Sequence, residues 1–143
     1  MKGYWNNTEE TKNVMTSDGW FKTGDIGTMN EEGYTKIVDR KKDMIIVSGF
    51  NVYPNEIEEI AMMNDKIFEA GCIGVKDGDG NENVKLFISN VSEKNLNTAE
   101  VIDHCKKYLT GYKIPKFVEF IDEIPKSNVG KILRRELRKR NNG

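Results

Sequence analysis

The sequence predicts an α+β fold, a small and mainly antiparallel sheet packed with two or three helices. Three observations carry that expectation. Short apolar runs bounded by turn residues, Met44–Val47, Phe68–Val75 and Val84–Ile88 among them, read as strands. Two segments, Pro54–Ala61 and Thr98–Leu109, place their apolar residues at helical spacing instead. The last segment pairs a narrow apolar stripe with a basic remainder, the pattern of an amphipathic helix.

Residues 1 to about 39 read as the tail of a larger fold, because Trp5, Trp20, Phe21, Tyr34 and Ile37 are scattered among turns with no sustained period. Within them the turn Asn30-Glu31-Glu32-Gly33 separates Ile26–Met29 from Tyr34–Val38 and predicts a β-hairpin. The charged run Asp39-Arg40-Lys41-Lys42-Asp43 is too polar to bury and reads as a connector between two packed units. Beyond it, Met44–Val47 bends at Ser48-Gly49 and returns along Phe50–Tyr53. A helix should follow. Pro54 suits a first turn, Asn55 with Glu58 resembles a capping box, and Ile57, Ile60 and Ala61 share a face. Phe68–Val75 and Val84–Ile88 form a strand pair around the loop Asp77–Asn81. In Thr98–Leu109 the residues Val101, Ile102, Cys105, Tyr108 and Leu109 define a helix face, and Gly111 lies where a C-terminal cap belongs. Lys116–Ile121 is a further short strand. The final helix should run from Lys131 to about Arg140, with Ile132, Leu133 and Leu137 inward and Arg134, Arg135, Arg138, Lys139 and Arg140 as a solvated face.

Composition narrows the function classes. The 143 residues carry a formal charge of −1, so no global field recruits nucleic acid or an anionic membrane. The longest apolar run, Met44–Val47, falls far short of the roughly 20 residues of a membrane span, and Met1–Trp5 lacks a signal-peptide core, so the chain reads as cytosolic. Cys72 and Cys105 sit inside apolar patterns and read as core thiols; His104 has no second ligand at metal spacing.

Three familiar motifs fail on inspection. Gly130-Lys131 hints at a phosphate loop, but Pro125 stands where the first glycine belongs and Ile132 replaces the metal-binding hydroxyl. Asp77, Asp79 and Asn81 open like a calcium loop, yet Glu82 and Ile88 occupy the positions of the glycine and the bidentate carboxylate. Gly78-x-Gly80 ends in Asn83 rather than a third glycine. Three other segments suit nucleotide chemistry. Gly24-Asp25 puts a carboxylate on a tight turn, where it could accept hydrogen bonds from ribose hydroxyls. Arg40 brings a guanidinium fork to the connector. Pro125–Lys131 ends a polar loop in an ammonium that could reach an anionic substrate.

In this order the segments resemble the carboxy-terminal motifs of the adenylate-forming superfamily: acyl-CoA synthetases, peptide-synthetase adenylation domains and luciferases. The run from Asp18-Gly19-Trp20 to Asp39–Lys42 looks like the fatty-acyl-CoA synthetase signature. Met44–Glu58, Leu109–Lys113 and Pro125–Leu137 are similar to bacterial long-chain fatty acid:CoA ligases. The resemblance implies that residues 1–39 end a large N-terminal domain, 40–42 form a hinge, and 43–143 make up a mobile lid domain. It assigns Asp25 and Arg40 to the nucleotide, Lys42 to the hinge, Gly49 to the pantetheine tunnel and Lys131 to catalysis of adenylation. The implied substrates are a fatty acid, ATP (released as AMP) and CoA. Mg2+ would be held by the N-terminal domain, and no cofactor is expected on this piece. Its implied partner is that domain, nucleic acid is not expected, and the intact enzyme could touch the inner face of the membrane peripherally. The family's phosphate loop, adenine-contacting segment, magnesium-binding glutamate and acyl tunnel have no counterpart in this sequence, so the chain alone is expected to be inactive. Two alternatives stay open: a related adenylating enzyme for shorter acids or carrier-protein loading, and a stand-alone interaction module that has lost the chemistry.

Overall fold

A computed structural model describes residues 1–90 and 95–142, and in it the chain divides into two units, Met1–Lys42 and Asp43–Gly143. The first unit holds helix α1 (Thr8–Val14) and an antiparallel hairpin of β1 (Asp25–Met29) and β2 (Thr35–Arg40). The helix is absent from the sequence prediction because it has no apolar stripe and buries nothing. Its signal is local instead: Asn7 caps it, accepting the Glu10 N–H at 3.1 Å. Asp39 is the one buried residue of this unit, at 2% exposure, while Trp5, Trp20, Met29 and Tyr34 stand exposed. The expectation that the connector is too polar to bury is therefore corrected at Asp39 and also at Asp43. Each carboxylate has found a partner, the Arg40 N–H at 2.7 Å for Asp39 and the Arg138 guanidinium at 2.8 Å for Asp43.

Alternation organises the second unit. It runs β3 (Ile45–Val47), β4 (Phe50–Val52), α2 (Pro54–Met62), β5 (Ile67–Lys76), β6 (Glu82–Asn90), α3 (Thr98–Lys106), β7 (Phe117–Phe120) and α4 (Arg134–Asn142). β3 and β4 form a hairpin, and β6 lies between an antiparallel β5 and a parallel β7. Ala70, Cys72, Val84, Leu86 and Ile88 join the cluster that also contains Ile57 and Ala61 of α2 and Val101 and Cys105 of α3. Their odd-numbered neighbours Ile73, Val75 and Phe87 join the other, with Ile121 and Ile124 and with Leu137 of α4. The period of two thus sorts one sheet into two cores, α2 and α3 on one face and α4 on the other. The α+β expectation holds: three helices, α2, α3 and α4, pack on the sheet of the second unit, and α1 lies in the first. Both cysteines are buried and neither is in a disulfide, as the core-thiol reading requires. Burial pushes the Cys105 thiol up to about 11, which keeps it protonated and unreactive.

Gly71 is where α4 meets the sheet: a Cβ there would lie 2.8 Å from Leu137 Cδ1 and 3.3 Å from Ile124 Cγ2. Gly71→Ala is expected to overpack this contact and cost about 1–3 kcal/mol. Urea denaturation of the chain measures it; an unchanged midpoint would mean that α4 does not seat on β5 this way.

Two predicted details are corrected. Asn55 and Glu58 do not form a capping box; Tyr53 is the N-cap of α2, and Glu58 turns inward beside Ile57 and Ala61. A reciprocal capping box exists at α3 instead, between Asn97 and Glu100. Gly111 is not a helix cap either, since α3 ends at Lys106 with Lys107 as its cap, and Gly111 opens a 3-10 turn through Lys113.

Candidate functional site

The register of β1 and β2 places Asp25 opposite Arg40. Arg40 Nε donates to Asp25 Oδ1 at 2.8 Å, so a sequence separation of fifteen residues becomes a direct ion pair. The turn beneath is held by two bonds, the Asp25 N–H to Thr23 Oγ1 at 3.1 Å and the Lys41 N–H to the Gly24 carbonyl at 2.8 Å. Both side chains remain partly exposed, and an ion pair in that setting contributes little. Acceptor and donor can therefore be turned to a polar ligand at small cost.

Lys42, exposed, lies between two anchored neighbours. Lys41 is tied to Gly24 in the first unit, and Asp43 is tied to Arg138 of α4 in the second. Lys42 is the last residue of the first unit, and Asp43 opens the second.

Gly49 follows Ser48 in the two-residue turn joining β3 and β4, with φ of 84° and 50° respectively. Two successive positive φ values match the twist of a tight hairpin, and glycine adopts its value without a Cβ penalty. The space around Gly49 is open: a Cβ there would meet nothing within 4 Å.

Lys131 stands on a closed loop. Lys126 pairs with Ile132 in an antiparallel bridge. Inside it the Ser127 N–H donates to the Lys131 carbonyl at 2.8 Å, and the Lys131 N–H donates to Ser127 Oγ at 3.2 Å. This bridging, with the Leu133 N–H donating to the Pro125 carbonyl, occupies the backbone through residue 133, so α4 starts at Arg134 and not at Lys131 as the periodicity predicts. The Lys131 side chain is exposed, and no ion pair engages it among the described residues. A fixed backbone with an unclaimed ammonium is suited to meet an anion. Of the predicted residues, Asp25 and Arg40 are thus brought together in the first unit, whereas Gly49 and Lys131 occupy separate turns of the second.

Residues 56–131, from α2 to the lysine loop, match the family described as the AMP-binding enzyme C-terminal domain. The chain belongs to this family. The chain is 57% identical over 138 residues to a long-chain-fatty-acid–CoA ligase of Yersinia pestis, covering 96% of this chain and 24% of the relative. It is 47% identical over 137 residues to the ligase of the same name in Bacillus subtilis, with the same coverage. The chain thus spans about a quarter of the length of these relatives. Among solved structures, ATP-bound MatB from Rhodopseudomonas palustris matches with a TM-score of 0.91 and 37% identity, over 97% of this chain and 28% of that one. A Mycobacterium tuberculosis fatty acyl CoA synthetase matches at 0.72 and 39%, over 97% and 27%.

The reaction of adenylate-forming enzymes implies a magnesium ion. Among the described residues no group of three or more His, Cys, Asp or Glu side chains could hold a metal ion.

A buried charge cluster escapes the sequence reading. Arg134, predicted on a solvated face, donates to both oxygens of Glu58 at 2.9 and 2.8 Å and to Asn55 Oδ1 at 2.6 Å. Glu58 also accepts the Cys72 N–H at 2.8 Å. Asp43 completes the cluster through Arg138 at 2.8 Å and Arg134 at 3.9 Å. Arg140 is likewise paired, with Glu119 at 2.8 Å, and that contact, followed by the one from Lys85, holds the Glu119 carboxyl below its ordinary range. The basic stripe of α4 is therefore largely neutralised inside the domain. One signal was available: Glu58 stands three residues before Ala61, on the apolar face of α2.

Proposed function

We propose that the chain is the carboxy-terminal part of a bacterial long-chain fatty acid:CoA ligase, comprising the end of its large domain (residues 1–39), a hinge (40–42) and its lid domain (43–143). The observation that carries this reading is sequence identity to ligases of that name over 96% of the chain, and so across both units. In the proposed reaction a fatty carboxylate oxygen attacks the α-phosphorus of ATP and pyrophosphate leaves. The CoA thiolate then attacks the acyl carbonyl, and AMP leaves as the thioester forms. Asp25 accepts the ribose hydroxyls and Arg40 adds a cationic donor to the same nucleotide. Lys131 places its ammonium between the carboxylate and the phosphates during the first step, offsetting their repulsion. Rotation at Lys42 withdraws it and presents the turn at Gly49 for the second, where the missing side chain leaves room for the pantetheine arm. The partner is the large N-terminal domain, which supplies the acyl tunnel and the ligands of Mg2+. Support for that partner comes from the first unit, whose large apolar side chains stand exposed with no core of their own. The proposed setting is the cytoplasm, with peripheral contact at the inner face of the membrane.

The full-length protein is expected to form acyl-CoA from palmitate, ATP and CoA far faster than from acetate, as a coupled AMP-release assay measures. The chain of 143 residues alone should show no micromolar heat of ATP binding by calorimetry. Preference for acetate or for a carrier-protein thiol would select a related adenylating enzyme, and no acyl activation at all would leave an interaction module.

A further inference from the structure

Leu109–Lys113 has no role in the reaction above, yet it leads directly to the turn that carries Gly49. The 3-10 turn Gly111–Lys113 sets the Tyr112 ring on the Phe50 ring, with centroids 4.6 Å apart and planes 18° from parallel. Phe50 is the residue after Gly49. The next residue, Lys113, is pinned to the first turn of α2, its Nζ lying 2.7 and 2.8 Å from the two Glu56 oxygens. A chain of contacts therefore runs from α2 through Lys113 and Tyr112 to Phe50 and the Gly49 turn.

The turn has reason to need a brace. β3 and β4 are three residues each, and an isolated two-stranded hairpin is marginal in water. Ser48 adds local strain, holding φ of 50° without being glycine. The bracing rings are not core residues, Phe50 being 56% and Tyr112 36% exposed. Removing one of them therefore opens no cavity, and its effect should be confined to the turn.

We propose that Tyr112 is a positioning residue for thioester formation, holding the Ser48-Gly49 turn through its stack on Phe50, with Lys113 and Glu56 fixing the tyrosine. This rests on the proposed ligase function. The stack acts only where the turn lines the path of the thiol, so it should affect one half-reaction and not the other.

The test separates the half-reactions in the full-length enzyme. Tyr112→Ala is expected to lower kcat/KM for CoA about tenfold with supplied acyl-adenylate, mostly through KM, the scale of a lost aromatic pair. Adenylation, followed by pyrophosphate exchange, should stay within about twofold. Lys113→Ala should shift the CoA step the same way by about threefold, and Tyr112→Phe, which keeps the ring, should restore it. On the chain itself, NMR order parameters at Ser48 and Gly49 should fall in Tyr112→Ala and recover in Tyr112→Phe. Equal loss of both half-reactions, an unchanged CoA step, or an unchanged turn in Tyr112→Ala would each overturn the assignment. A wild-type enzyme that performs neither half-reaction would overturn the ligase reading itself, an outcome recognisable before any variant is compared.

Discussion

Replacing Lys131 with alanine in the full-length enzyme is expected to slow adenylate formation by roughly 100-fold or more while leaving thioester formation from supplied acyl-adenylate within about threefold. The magnitude follows from the charge problem of the first step, in which an anionic carboxylate approaches an anionic triphosphate. An ammonium held in advance between them is worth about 3 kcal/mol or more in the transition state. The loop supplies the holding: Ser127 bonds the Lys131 backbone on both its N–H and carbonyl sides, and Ile132 pairs with Lys126. Lys126 is itself ion-paired to Glu69 of β5, which ties the loop to the sheet. The Lys131 side chain makes no ion pair among the described residues, so its removal should not change the unfolding midpoint of the chain. Lys131→Arg should also fail, because a planar fork does not place its charge where a compact ammonium does. Single-turnover assays of each half-reaction decide the matter, and equal loss in both would contradict a lysine that acts in only one.

What the sequence made legible follows the strength of its periodic signals. The strands around Cys72 and Leu86 and the helices at Ile57 and Val101 were readable because each has one face in a core. Helix α1 was not, since it buries nothing and only its Asn7 cap betrays it. The start of α4 was misplaced because Ile132 and Leu133 continue the apolar stripe, while the hydrogen bonds that keep them out of the helix depend on contacts with Pro125 and Ser127. At the candidate site, single residues were legible and relationships were not. Asp25 and Arg40 could each be singled out by type, but their 2.8 Å pairing is set by strand register. The role of Tyr112 against Phe50, 62 residues away in sequence, depends on packing that no local pattern encodes.

Arg134→Ala is expected to destabilise the chain by about 3–5 kcal/mol, the cost of stripping one partner from a buried ion pair. The guanidinium is 12% exposed and its Glu58 partner 5%, so solvent cannot replace the lost bonds. Glu58 would lose the guanidinium and keep the neutral Cys72 N–H, a poor match for a full negative charge. Neutralising that charge should therefore rescue the variant: Arg134→Ala with Glu58→Gln is expected to recover much of the loss, because the amide oxygen can still accept from Cys72. The exposed pair Lys106–Asp103, 3.0 Å apart, supplies the contrast, with Lys106→Ala costing about 0.5 kcal/mol or less. Urea denaturation followed by far-UV circular dichroism reads all of these. A cost below about 1 kcal/mol for Arg134→Ala would mean that the cluster is effectively solvated. A double variant no more stable than the single would mean that the loss is one of packing and not of charge. The cluster also bears on mechanics. Asp43, next to Lys42, is held by Arg138 and Arg134, and Arg134 lies three residues beyond Lys131. If, as proposed, movement begins at Lys42, these ion pairs make the start of the second unit and the Lys131 loop turn as one body, so the same substitution should loosen the coupling between Lys42 and Lys131.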